Sequence, residues 1–287
     1  MTALQLELLC LAKPYFAAED LLIAEHDEQV VGFLQIGPMV ADNLREARDD
    51  MAVIAALCIV PCDGEDSVAQ ALLARAEKLI RARQFSLLRF KTLFPESPFY
   101  QGIGPADSMI GATTSERRCC GWAKTAGFAP SLPTSQWQLN LSNFQAPIDR
   151  LQIQIRRGSQ IERDVDEPQL PWWQACLLGH AEPVGFSLLN RAQGRQVCEA
   201  LVWTVATELH TSPDTLAWLW PIKIPAEELG AEQLTFLLGE ICRQLQSERV
   251  DQVRSVSAAS DTQVNSLLRR LGFTAEQCGV VFEKKLS

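Results

Sequence analysis

The strongest constraint on this chain is an order of elements that it spells out twice. "LLIAEHDEQVVGFLQIG" (21–37) alternates apolar and polar residues about a polar turn, which predicts a hairpin. "MAVIAALCIV" (51–60) predicts a third, more buried strand. Val68, Leu72, Ala76, Leu79 and Ile80 share one face at helical spacing and predict a helix from about Ser67 to Arg83. "SLLRFKTLF" (86–94) predicts the next strand. A loop of about twenty residues leads to a short helix, "SERRCCGWAKTAGF" (115–128), stopped by Gly127. "QWQLNL" (136–141) closes the first half. The second half runs through the same order: a hairpin at 186–205, a buried strand at 215–224, an amphipathic helix at 226–246 and a strand at 250–258. A helix ending in Gly-Phe (261–273) and a last strand (279–286) complete it.

A twofold order of this kind predicts two domains, 1–145 and 146–287, joined by the polar connector "NFQAPIDR" (143–150). The 287 residues suffice for two domains of roughly 140 residues each. "LQIQIRR" (151–157) reads as a strand opening the second half, followed by a helix around "WWQACLLGHA" (172–181). The sequence leaves open whether each closing strand pairs within its own half or is exchanged.

Composition excludes several classes. The chain is 47% hydrophobic and 21% charged, as ordinary globular proteins are. Its net charge of -9 lacks the basic stripe that grips phosphates, so no nucleic-acid partner is expected. The nine cysteines are an odd count without CxxC pairs, and Cys119 and Cys120 are adjacent. They read as small buried apolar residues in a reducing compartment. No signal peptide or long apolar run is visible, so a cytoplasmic protein without a membrane span is expected. No spacing suits a metal or a Ser-His-Asp arrangement. His180 and His210 read as incidental, and Trp172, Trp173, Trp203, Trp218 and Trp220 as packing residues.

The loop after the third strand carries the chemistry. "PCDGEDSVAQALL" (61–73) runs from a strand into a helix, the place where backbone N–H groups can hold a phosphate. With this loop and the repeated order, the chain resembles the GCN5-related N-acetyltransferases, whose cofactor loop reads V-x-P-x-x-R-G-x-G-I-G-x-x-L-L. Counting from Pro61, Gly64 stands at the arginine, Glu65 at the next glycine, and Ser67 and Ala69 at the two that follow. The family's last helix reads N-x-x-A-x-x-x-Y-x-x-x-G-F. Asp261, Val264 and Leu268 fit its three marked positions in the second half, and Glu116, Cys119 and Ala123 fit them in the first. The stretch carrying Ser97, Pro98, Phe99, Tyr100, Gly102 and Gly104 is similar to "NPFYxGxxGG" in tandem members of that family.

The resemblance implies an α/β (α+β) fold: two tandem domains, each a mixed, mostly antiparallel sheet flanked by helices. It implies acetyl-CoA as cosubstrate and transfer of an acetyl group to an unidentified amine, either a small molecule or a peptide. The cofactor is expected on the first half, along the backbone of Leu57, Cys58, Ile59 and Val60. Its pyrophosphate would meet Gly64, Glu65, Ser67, Val68 and Ala69. Neither half keeps the family's tyrosine acid, so Tyr100 is the candidate acid. Glu25, with its neighbour His26, and Glu96 and Asp107 are candidates for the base. The second half has only Gly230 in its loop, beside Glu227, Glu228 and Glu232, and reads as structural or as shaping the substrate cleft. Two rivals stand beside the enzyme: a non-catalytic binding or scaffold protein on the same fold, favoured by the missing arginine, glycines and tyrosine, and a tandem relative that uses aminoacyl-tRNA, disfavoured by the acidic charge.

Overall fold

The computed structural model describes every residue except Met1, Asp42, 101–108, 165–169, 206–214, Pro221 and Ser287. Two compact units emerge, and neither is a contiguous half. Unit 1 comprises Met1–Ser135, Leu170–Gly179 and Gln277–Ser287; unit 2 comprises Gln136–Gln169 and His180–Glu276.

Unit 1 opens with the short helix α1 (Ala3–Leu6), whose Thr2 and Gln5 form a capping box, and a π-helical turn at Glu7–Leu11. The expected hairpin is β1 (Leu21–His26) and β2 (Gln29–Val40). Asp27 and Glu28 turn it with positive φ, as a tight two-residue loop requires. Then come β3 (Ala47–Ile59), α2 (Glu65–Ala82), β4 (Leu87–Phe90), the two-residue β5 (Ala112–Thr113) and α3 (Arg117–Thr125). The sheet order is β1-β2-β3-β4-β12, where β12 (Thr274–Lys285) is the last strand of the chain. Every step is antiparallel except β3–β4. α2 lays Ala69, Leu72, Leu73, Ala76 and Ile80 on this sheet, against Leu34, Ile36, Ile54, Phe90 and Phe282.

Unit 2 repeats the order. Its elements are the end of β6 (Ala129–Asn140), α4 (Arg150–Gly158), β7 (Ser159–Arg163), β8 (Ala181–Asn190), β9 (Arg195–Val205), β10 (Leu216–Leu219), α6 (Gly230–Ser247), β11 (Gln252–Ala258) and α7 (Thr262–Arg270). α5 (Trp172–Leu177) lies in unit 1. The sheet order is β6-β11-β10-β9-β8-β7, with β10 and β11 parallel. Trp137, Leu188, Val202, Leu219, Leu237, Ile241 and Leu268 are among its core residues.

The closing strands are therefore exchanged. β6, which ends the first half, neighbours β11 of the second; β12, which ends the second, pairs with β4 of the first, from Phe282↔Phe90 to Lys285↔Leu87. Three local expectations fail. Residues 151–157 are helical: Asp149 caps α4 by accepting from the Gln152 amide at 2.8 Å, and Gln152 and Ile155 are its buried residues, three apart as on a helix. The alternating Leu-x-Ile-x-Ile read as a strand because only two of its turns are long enough to show the helical period. The strand expected at 215–224 shrinks to 216–219. The helix around 172–181, assigned to the second half, sits in unit 1, where Trp173 is buried and stacks on Tyr15 at 4.8 Å.

Candidate functional site

The site in unit 1 begins with an irregularity in the sheet. β2 and β3 pair from Gly32↔Ile59 to Gln35↔Ala56, and then resume at Ile36↔Ile54. Ala55 is the extra residue, a bulge that bends β3. β4 runs parallel to β3 only from Met51↔Leu87 to Ile54↔Phe90, and the Lys91 amide then donates to the Ile54 carbonyl at 2.9 Å. Past that point β3 continues through Leu57, Cys58 and Ile59 while β4 has ended. The two strands thus part beside the bulge and leave a slot along one edge of β3.

The loop and α2 bound one end of the slot. Leu57 is buried under α2, Cys58 is exposed, Ile59 is half-buried and Val60 is 56% exposed. Gly64 caps α2 with φ of +89°, and a Cβ built on it meets nothing within 4 Å, so the helix end faces open space. The amides of Glu65 and Ser67 are taken by the carbonyls of Cys62 and Gly64, at 3.3 and 2.9 Å. Those of Gly64 and Asp66 have no backbone partner among the described residues. Val68 is half-buried, and Ala69 is wholly buried in the core, so packing accounts for its small size.

Two of the loop's three acids are turned aside. Glu65 accepts from Arg118 at 3.0 Å and Asp66 accepts from the Trp122 indole Nε1 at 2.6 Å, both across to α3. Gln70 adds a third link, to the Trp122 carbonyl at 3.1 Å. The first turn of α2 is thereby laced to α3, and Asp63 is left as the acid pointing to no partner among the described residues.

α3 forms the far wall, and here the structure brings together residues that the sequence did not single out as a pair. Lys91 pairs with Glu116, the N-cap residue of α3. Glu116 also accepts from the Thr113 amide at 2.9 Å. The Lys91 side chain is 8% exposed and its backbone sits at φ +52°, a left-handed position rare for a lysine. Cys119, one turn along α3, has its sulfur 4.0 Å from the Leu57 carbonyl. Burial pushes the Cys119 thiol up to about 11, with the Lys91 charge pulling the other way. Cys58 is raised too, by the protein packed around it even though its surface is exposed, again opposed by Lys91. The signal was present: a lysine ending an apolar strand and a glutamate opening a helix twenty-five residues later. No motif links them, because the fold alone places them together.

Of the expected catalytic residues, Tyr100 packs beside Ala55 at the bulge, while Glu25 and Glu96 have other surroundings. The Tyr100 hydroxyl donates to Oε1 of the buried Gln35 and lies 3.6 Å from Cys10 Sγ, while burial pushes its ionisation well above the usual tyrosine range. Its amide is held by the Leu9 carbonyl at 3.1 Å. Glu96 pairs with Arg89 at 2.7 Å, and Arg89 also holds Glu283 at 2.7 Å. Glu25 is exposed at a bulge of the β1–β2 hairpin, and His26 is exposed beside Asp27. Asp107, Gly102, Gly104 and His210 lie outside the described residues. Trp203 and Trp218 stack at 5.5 Å in the core of unit 2.

Unit 2 treats its equivalent loop differently. β10 and β11 also run parallel, from Leu216↔Gln252 to Trp218↔Arg254. Yet the start of α6 is closed over: a Cβ on Gly230 would lie 2.2 Å from the Pro225 carbonyl oxygen. Glu227 pairs with Arg195, and Glu232 with Arg270. In unit 1 the Val60 amide bonds Val31 and Ile59 faces Gly32. In unit 2, 223–225 stand off β9 across an open cleft of about 320 Å³ lined by Gln196, Cys198, Glu199, Lys223 and Pro225. Among the described residues no helix is long and apolar enough to cross a membrane.

No protein-family model matches the sequence, and no curated protein does either. Solved structures do match. A tandem GNAT protein from the clavulanic acid biosynthesis pathway, without AcCoA, aligns over 94% of this chain and 85% of its own, with TM-score 0.63 and 16% identity. A GCN5-related glucosamine N-acetyltransferase region of a fungal multi-domain GH3 beta-N-acetylglucosaminidase covers 91% of this chain but 32% of that one, with TM-score 0.65 and 14% identity. A GCN5-related N-acetyltransferase from Sphaerobacter thermophilus covers 90% and 78%, with TM-score 0.59 and 13% identity. The parallel strand pair with a helix between its strands, present in both units, and the bulged third strand of unit 1, matched over 94% of this chain to a tandem GNAT protein, make this a tandem GCN5-related N-acetyltransferase fold.

Proposed function

We propose that unit 1 transfers an acetyl group from acetyl-CoA to an amine, either a small molecule or a peptide. The observation that carries this is the parting of β3 and β4 beside the Ala55 bulge. It leaves β3 without a strand neighbour on that side at Leu57–Ile59, where an extended pantetheine arm would lie; the Val60 amide is already taken by the Val31 carbonyl, and Cys119 Sγ stands 4.0 Å from the Leu57 carbonyl. That edge leads to the open end of α2, where the free amides of Gly64 and Asp66, with Glu65, Ser67, Val68 and Ala69 around them, are the candidates for the pyrophosphate. The links from Glu65 and Asp66 to α3 draw two negative charges away from that anion. Names such as N-acetyltransferase among the structural neighbours support the same reading. Tyr100, Glu25 and Glu96 remain candidates for proton transfer, and on this reading they would have to reach the slot with substrate bound.

A second reading, a binding protein that has kept the fold without the chemistry, is favoured by Asp63 at the helix end and by Ala123, buried where the family has its tyrosine. Titration calorimetry with millimolar acetyl-CoA, followed by thiol release with a panel of amines, separates them. Heat of binding with release supports transfer. Binding without release for any amine supports the second reading. Neither heat nor release overturns the use of acetyl-CoA.

A further inference from the structure

We infer that Lys91 receives the leaving thiolate, its ammonium held at the slot by Glu116. The inference rests on the acyl-CoA reading above. An amine that attacks a thioester expels a thiolate, and a thiolate forming among buried groups is costly unless a cation meets it.

Among the described residues, the groups able to meet it with a charge or a proton are few. Both tyrosine hydroxyls already donate their protons: Tyr15 to the Pro98 carbonyl at 2.6 Å and Tyr100 to Gln35. Arg118 is 65% exposed and committed to Glu65 at the loop. Lys91 is different on four counts. It follows Phe90, the last β4 residue paired with β3, so it stands where the slot begins. Its side chain is almost wholly buried. Of its three N–H donors, one meets Glu116 and the others have no partner among the described residues. Finally, its charge acts on both Cys58 of β3 and Cys119 of α3, whereas of these two thiols Tyr100 interacts electrostatically with Cys58 alone. A left-handed backbone at a lysine is a further sign that something fixes its direction.

The step balances as follows. The neutral amine nitrogen forms the C–N bond, the C–S bond breaks, and its electron pair goes to sulfur. Lys91 gives one proton to that sulfur, and the proton shed by the nitrogen returns through water to the Lys91 amine. The products are the amide and CoA thiol.

The test reads a property besides turnover. Bound CoA is titrated by the ultraviolet absorbance of its thiolate, in the wild type, in Lys91→Met and in Lys91→Arg, alongside acetyl-CoA affinity and kcat. For Lys91→Met we expect acetyl-CoA affinity within about threefold, a bound-thiol pKa raised by about one unit or more, and kcat down about 10²- to 10⁴-fold. Lys91→Arg keeps the charge but holds its proton far more tightly, so it should keep the low thiol pKa and lose turnover. An unmoved thiol pKa in a folded Lys91→Met protein overturns the inference. Should that variant not fold, wild-type turnover in Lys91→Arg overturns it. Absence of acetyl-CoA binding to the wild type overturns this inference together with the acyl-CoA reading, and is distinct from binding with an unmoved thiol.

Discussion

Lys13 offers the sharpest test of the unit 1 packing. Its side chain is buried, and its ammonium donates to the carbonyls of Cys176 and Leu177, at 2.6 and 3.2 Å, at the end of α5. A helix C-terminus favours a cation, yet burial wins and lowers the Lys13 pKa from 10.5 to about 8. The folded state therefore releases its proton before the unfolded one does. Between these two values the unfolded chain binds more protons, so stability rises with pH. At pH 7 the cost of burying the charge is fully present; the shift of 2.5 (10.5 less 8) corresponds to about 3 kcal/mol at about 1.4 kcal/mol per pKa unit. By pH 10 most of it is relieved. Other lysines and thiols titrate in the same range, so the measurement is a difference: urea unfolding of the wild type and of Lys13→Met at pH 7 and at pH 10. The stability of the wild type relative to the variant should improve by about 2 to 3 kcal/mol over that span. A difference that stays constant within about 0.5 kcal/mol, or that moves the other way, refutes the burial argument.

Phe282→Ala, in the last strand, should cost about 3–5 kcal/mol and lower amide protection in β3 and β4 of unit 1; loss confined to β8 and β9 would contradict the strand exchange. Gly37→Ala should destabilise by about 1–3 kcal/mol, because its Cβ would lie 2.4 Å from Pro98 Cγ and 2.8 Å from Phe99 Cε2; thermal unfolding reads it, and an unchanged midpoint would show that the 98–99 segment yields freely. At pH 8 iodoacetamide should label the exposed Cys62 well before Cys119, whose thiol is held up to about 11; peptide mapping that finds Cys119 labelled first would refute its burial.

The order of elements was legible because each helix and each hairpin shows its own period over many residues. Val68 to Ile80 needs no context to read as one face of α2. What failed was short or dependent on partners. α4 spans nine residues and its apolar positions alternate by chance, so only its cap at Asp149 betrays it. β10 ends at Leu219, two residues before Pro221, a strand breaker that the apolar run 215–224 outweighed in the sequence. At the site, the register from Pro61 located the open end of α2, and Gly64 does adopt the left-handed turn there. The same register made Ala69 a cofactor position, whereas the core explains it as well. The Lys91–Glu116 pair escaped because it is made by tertiary placement and not by spacing.

The exchange of closing strands has a consequence for synthesis. Everything unit 2 needs lies between Gln136 and Glu276, so it is complete before the ribosome has made the strand that finishes unit 1. Until Phe282 and Leu286 emerge, β4 waits as a bare edge beside a parallel neighbour, with the apolar side chains of Leu88 and Phe90 short of their cover. The part of the chain made first is thus the part that matures last, and the slot beside Leu57 can take its final shape only then.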